Sequence, residues 1–319
     1  MTVDKFFKFY KKYGLFVVFA VLFVLFACIA DGFLNSRNLI NILKQASVYG
    51  IMCVGVTIVM VSGGMDMSVG GQIACSGLVM ASLMKMGVHP IIAVIVGIIS
   101  CAVIGYINGL FIATFNCAPL VITLCLMLIL NGAAVVVTSG IPIYDFPKGF
   151  YYVGQGFIGD VFPFSIIIWL LAILVGYFLL NKSYFGRELY AIGGNREAAR
   201  LAGINVVKAR VLSYVVNSAF IGIGSWVLLS KTGSASPTAG SNYQFDCMTA
   251  CMLGGVTFGG GSGNVLTTAL GVLIIAMIGN GLLLLGFDGN FQQIIKGIIL
   301  LATLTLDAYQ KIRKAKIEA

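Results

Sequence analysis

Ten predominantly apolar runs, most of them long enough to cross a lipid bilayer, limit this chain more than any other feature. They fall at about 15–30, 46–61, 72–87, 91–115, 119–138, 163–181, 211–230, 245–258, 264–285 and 291–307. A bilayer-spanning helix uses about 20 residues, so ten of them take about 200 of the 319 residues and leave roughly 119 for loops and ends. Only 10% of the residues are charged and 59% are apolar, against about 25% charged in an ordinary soluble domain. The expected fold class is an all-α polytopic membrane protein, a single transmembrane domain over 1–319 with about ten helices. The runs at 72–87 and 245–258 are short and carry glycines, so each is expected as either a full span or a re-entrant or broken helix.

The charges lie where a multi-pass topology needs them. Lys5, Lys8, Lys11 and Lys12 precede the first run, Lys311, Arg313, Lys314 and Lys316 close the chain, and Lys182, Arg187, Arg196, Arg200, Lys208 and Arg210 sit between the sixth and seventh runs. The positive-inside rule puts all three clusters in the cytoplasm. Six runs before the central loop at 182–210 and four after it are both even numbers, which agrees with cytoplasmic termini. A net charge of +9 is therefore membrane topology, and no nucleic-acid partner is expected. The first run imitates a signal peptide, but nine further runs favour an uncleaved anchor.

Chemistry is sparse. One histidine, His89, and eleven carboxylates offer few groups for acid–base work, so no catalytic residue is expected. Eight cysteines stand inside or beside apolar runs without C-x-x-C spacing and read as small buried hydrophobes; no metal site is expected. The glycine cluster at 259–264 lacks the lysine and hydroxyl residue of a phosphate loop, which makes it a tight interhelical turn. The stretch 139–162, with Asp145, Lys148, Asp160 and three tyrosines, is the longest external loop.

Within the apolar runs a few polar residues stand out. The segment GGMDMSVGG places Gly63, Gly64, Asp66 and Ser68 between two runs. Glycine permits a helix break, and Asp66 either caps the next helix through backbone amides or meets a solute or ion. Asn108, Asn131 and Asn280 lie in apolar helices and must face the bundle or a pore, as packing bonds between helices or as a polar lining. The Asn108-Gly109-Leu110 and Asn280-Gly281-Leu282 matches relate the fourth run to the ninth, which implies an inverted repeat. The match of Gly63-Gly64 to Gly254-Gly255 implies an even shift, so the two cannot both hold unless one segment fails to cross.

The central loop is the most specific feature. Asn195 is a good N-cap, Glu197 suits a helix N-terminus and Gly203 suits the C′ position. This spacing predicts a helix of about two turns, too short to hold itself in water and thus docked on something or else an ordinary solvated connector.

These residues resemble a known family. SYFGRELYAIGGNREAARLAGI (183–204) closely resembles the cytoplasmic coupling segment of permease subunits in ribose-type (monosaccharide or autoinducer) ATP-binding-cassette importers. GGMDMSVGG resembles that family's GGIDLSVGS, and LGGVTFGGGSGNV with Asn280-Gly281-Leu282 resembles its C-terminal signature. The resemblance implies a bacterial inner-membrane permease without its own ATPase site. It also implies a second permease copy or homologue, a cytoplasmic ATPase that carries ATP and Mg, and an extracytoplasmic sugar-binding protein. By position it assigns Gly186, Arg187, Gly194, Asn195, Glu197, Ala198, Ala199, Arg200 and Gly203 to ATPase coupling. Asn131-Gly132, Gln244 and Ser262 depart from the family pattern and leave the solute open. An ion-coupled secondary transporter with Asp66 as coupling acid is the alternative.

Overall fold

A computed structural model describes residues 3–159 and 162–318, with side chains at 14–159, 162–309 and 312. The side chains of the two terminal basic clusters, and Asp160, lie outside the described residues. The helices are α1 (Val3–Ile29), α2 (Ser36–Val61), α3 (Val69–Lys85), α4 (Pro90–Thr114), α5 (Pro119–Thr138), α6 (Tyr152–Gln155), α7 (Phe164–Asn181), α8 (Tyr184–Gly194), α9 (Arg196–Leu201), α10 (Val206–Thr232), α11 (Tyr243–Leu253), α12 (Val265–Leu284) and α13 (Gly289–Glu318). Among the described residues seven of these, α2, α4, α5, α7, α10, α12 and α13, are long and apolar enough to cross a membrane.

The stretch 139–162 holds more structure than a plain loop. A short antiparallel pair joins β1 (Ile143–Tyr144) to β4 (Ser234–Ala235), and a second joins β2 (Phe157–Ile158) to β3 (Phe162–Pro163). Phe146 and Phe150 are buried beneath them. This cap marks one end of the bundle; α8 and α9 mark the other.

Depth in the bundle follows residue type. The apolar window of α2 is 83% buried, because α10, α12, α7 and α11 surround it, whereas that of α13 is 0% buried. Outward faces are apolar, as on α4 (Ile91, Ile92, Ile95) and α5 (Leu128, Ile129, Val136), which suits contact with lipid chains. An ion pair between Lys296 and Asp246 (2.9 Å) ties the peripheral α13 to α11.

Two further apolar helices are short. At about 1.5 Å per residue, α3 with 17 residues is about 25 Å long and α11 with 11 residues is about 16 Å, both short of a hydrocarbon core of about 30 Å. In each case a glycine-bearing segment, 62–68 or 254–264, continues toward the α8–α9 end. The break after α2 has a defined cause. Gly63 N–H bonds Met60 O and Gly64 N–H bonds Val59 O, a Schellman stop that requires the positive φ of +75° at Gly63.

The two halves of the chain run in opposite senses. The set α2–α5 starts with a helix from the β1–β4 end and the set α10–α13 with one from the α8–α9 end, so α4 and α12, third in each set, run in opposite directions, in keeping with the Asn-Gly match. The Gly-Gly match has another meaning: a Cβ added to Gly63 would stand 3.3 Å from Gly259 O. These two segments are neighbours.

Candidate functional site: a buried polar junction and a short helix at one end of the bundle

The chain from Met65 to Met67 is non-helical inside the bundle, where unsatisfied backbone groups are costly. Side chains from other helices satisfy it. The Tyr214 hydroxyl of α10 accepts from Met65 N–H (3.1 Å) and donates to Met65 O (3.0 Å), and Thr123 Oγ1 of α5 accepts from Met67 N–H (3.0 Å).

Asp66 stands at the centre of this segment, 4% exposed. Its Oδ1 accepts from Ser68 N–H (2.8 Å) and Ser68 Oγ (2.5 Å), and its Oδ2 accepts from Gln72 Nε2 (3.0 Å) and Asn217 Nδ2 (2.7 Å). Ser68 Oγ in turn accepts from Asn108 Nδ2 (2.9 Å) and Gln72 Nε2 (2.8 Å). Four donor contacts and the N-terminus of α3 face the carboxylate, an arrangement that stabilises negative charge without a cationic partner. The outer oxygens Gln72 Oε1, Asn108 Oδ1 and Asn217 Oδ1 have no partner, so acceptor capacity remains around the junction.

The structure thus brings Asp66, Ser68 and Asn108 together and places Gly63 and Gly64 at the break below them. Gln72 and Asn217 belong to the same network and were not singled out from the sequence, although both are polar residues within apolar runs. A stronger signal was Gly105-Tyr106-Ile107-Asn108-Gly109. Cβ atoms at Gly105 and Gly109 would meet the Tyr214 carbonyl and Val211 Cα, so this G-x-x-x-G face lets α4 and α10 approach closely and sets Asn108 near Asn217.

The other two asparagines lie elsewhere. Asn280 exchanges two hydrogen bonds of 2.9 Å with Asn38, closing an amide pair between α12 and α2 near the β1–β4 end. Asn131 is exposed on α5; a Cβ added to Gly71 would lie 3.4 Å from its Oδ1. Gln244 of α11 stands by the neighbouring Gly70, where an added Cβ would be 2.9 Å from Gln244 Oε1. Two glycines on α3 thereby let α5 and α11 pack closely against it, and Gln244 Nε2 of α11 reaches Met127 Sδ of α5 at 3.8 Å.

At the far end α8 and α9 form a compact unit. Gly186 packs on the carbonyls of Leu179 and Leu180 at the end of α7, and Arg187 lies over the Tyr184 ring (4.2 Å to its centre). Asn195 Oδ1 accepts from Ala198 N–H (3.0 Å), and Gly203, at φ +85°, closes α9 as its N–H and that of Ile204 bond Arg200 O and Ala199 O. Six helical residues, Arg196–Leu201, match the two turns predicted from the spacing. Arg196 donates to Asn116 in the α4–α5 turn.

The faces of α9 divide unexpectedly. Ala199 is 4% exposed and packed on this chain, whereas Leu201 is 82% exposed and Ala198, Glu197 and Arg200 lie outside with it. Glu197 and Arg200 pair with each other at 3.0 Å. Ala199 anchors the helix, so the outward apolar group is Leu201, with Tyr184 (81% exposed) beside the start of α8.

Comparison with known proteins extends this geometry. A family model described as the permease component of branched-chain amino acid transport systems matches residues 38–304. The chain is 38% identical over 277 residues to the ribose import permease protein RbsC of Bacillus subtilis, covering 86% of each chain. It is 34% identical over 282 residues to RbsC of Escherichia coli K12, covering 88% of each. Against the galactose/methyl galactoside import permease protein MglC of the same strain it is 37% identical over 302 residues, covering 88% of this chain and 89% of that one. No solved structure matches.

Proposed function

The chain belongs to the family of permease components of branched-chain amino acid transport systems, and from that premise we propose that it is the membrane subunit of an ATP-driven importer for a monosaccharide. The observation that carries the reading is the α8–α9 segment: a helix too short to stand alone, anchored by buried Ala199, turns Leu201, Ala198 and Arg200 outward and leads through Asn205 directly into α10. An ATPase surface seated there would move α10, and α10 holds Asp66 through Asn217.

In this reading Gly186, Arg187, Gly194, Asn195, Glu197, Ala198, Ala199, Arg200 and Gly203 form the coupling unit on the cytoplasmic side. Gly63, Gly64, Asp66, Ser68 and Asn108 hold the helix break, Asn280 locks α12 to α2, and Asn131 stands exposed on α5 beside Gly71 of α3. The solute path is completed with a second copy or homologue, while ATP and Mg reside on the partner ATPase and a sugar-binding protein delivers from outside. The ten crossings are the seven long helices, α1, and the two segments built on α3 and α11. Work enters through the ATPase, because a ligand bound equally by both states shifts nothing.

The test is uptake of radiolabelled ribose and galactose into proteoliposomes carrying this chain with its cassette ATPase and binding protein. ATP-dependent uptake that survives an ionophore is expected. Uptake that needs an ion gradient and ignores ATP would make the chain a secondary transporter.

A further inference from the structure

Where α8 meets α9, a cavity of about 310 Å³ opens between the coupling segment and the bundle, lined by Ser62, Gly63, Gly193, Asn195, Arg196 and Arg210 among others. Its walls come from four places: the turn after α2, the α8–α9 junction, the first turns of α10 and the loop between α11 and α12. Two of its lining groups are guanidinium ions, and no carboxylate lines it.

Arg210 is the informative residue. It is only 6% exposed, its Nε has no hydrogen-bond partner, and among the described residues it forms no ion pair. A buried guanidinium without an acceptor is costly, and its neighbour in charge is Arg196, a like charge. Arg196 spends one donor on Asn116, and Asn195 uses Oδ1 for the α9 cap. The guanidinium forks match tetrahedral oxyanions, which they bind through paired charge-assisted hydrogen bonds.

We propose that this cavity binds a phosphoryl group, carried by a small cytoplasmic phosphate or phosphate ester or by a lipid headgroup. Its cytoplasmic placement rests on the functional reading above; its chemistry does not. An anion bridging Arg210 on α10 and Arg196 on α9 ties the coupling segment to the bundle, so occupancy favours the arrangement seen here over any in which these walls part.

The experiment uses the full chain purified in maltoside detergent, without ATPase or binding protein, so that it stands apart from any transport result. Titration calorimetry with inorganic phosphate, ribose 5-phosphate and unphosphorylated ribose reads the free-anion arm; native mass spectrometry for retained phospholipid reads the lipid arm. The expected results are saturable binding of both phosphates, or phospholipid retained by the unaltered chain, with ribose inert at this site. Arg210→Gln should weaken the binding about tenfold or more, or strip the lipid, while Arg200→Gln on the outer face of α9 leaves it unchanged. Gly194→Glu supplies a second variant, since Gly194 lines the cavity and a Cβ there meets nothing within 4 Å, so that the substitution sets a carboxylate at the cavity wall. It should abolish binding even if Arg210→Gln fails to fold. Neither phosphate nor phospholipid binding, or binding indifferent to both variants, overturns the proposal. So does a loss of ATPase capture in Arg210→Gln without any phosphate binding by the unaltered chain, because a partner carboxylate then fills the cavity.

Discussion

Asn217 of α10 donates to Asp66 across 2.7 Å, joining the acid at the helix break to the helix that starts just after α9. Asn217 lies eleven residues after Val206 on an uninterrupted helix, about 16 Å along its axis at the usual rise. α9 and Asp66 are thus linked through one continuous helix and one hydrogen bond.

Asp66→Leu should lower folded yield sharply. It leaves Ser68, Gln72 and Asn217 donors buried without their acceptor, at about 1–3 kcal/mol for each group stranded. Asp66→Asn should keep most of the yield, since the unpaired oxygens of Gln72 and Asn217 can turn toward its amide. Membrane yield and thermal unfolding in detergent separate the two; equal behaviour of both variants would show that the network does not hold the break.

The faces of α9 predict opposite failures for adjacent alanines. Ala199→Trp should damage the permease itself, because overpacking a closed site costs about 1–3 kcal/mol. Ala198→Trp or Leu201→Glu should leave permease yield intact and reduce copurification of the ATPase. Normal ATPase capture in Leu201→Glu would remove this face from the docking surface.

Neighbouring glycines on α8 make a sharper pair. A methyl at Gly193 would collide with the Val61 carbonyl and the Gly261 amide, both backbone, whereas one at Gly194 enters open space. Gly193→Ala is expected to lower the melting temperature by several degrees, in line with about 1–3 kcal/mol of overpacking, and Gly194→Ala to leave it unchanged. Differential scanning fluorimetry decides, and equal melting temperatures would mean that the glycine contact is not tight.

Orientation is open to direct chemical test. In a cysteine-free background, Tyr144→Cys at the β1–β4 end should react with an impermeant maleimide in intact cells, and Arg200→Cys should react only after permeabilisation. The reverse pattern would place the α8–α9 end outside.

Much of this molecule was readable from local rules. Hydropathy marked the seven long apolar helices found among the described residues, because a segment in lipid must be apolar along its own length. The Asn195 cap and the Gly203 stop followed from backbone needs met within a turn or two, as did the break at Gly63. Other features depended on how helices rotate and approach one another. Asn108, Asn131 and Asn280 look alike in sequence, yet one joins the Asp66 network, one pairs with Asn38 and one faces outward. Ala199, assigned to the coupling surface by the resemblance, faces this chain instead, and Leu201 stands outward, because the docking of α9 on the bundle selects its inner face. Gln72, Asn217 and Arg210 took on meaning only with their neighbours in place, for a buried polar group is defined by the partner that packing brings to it or withholds.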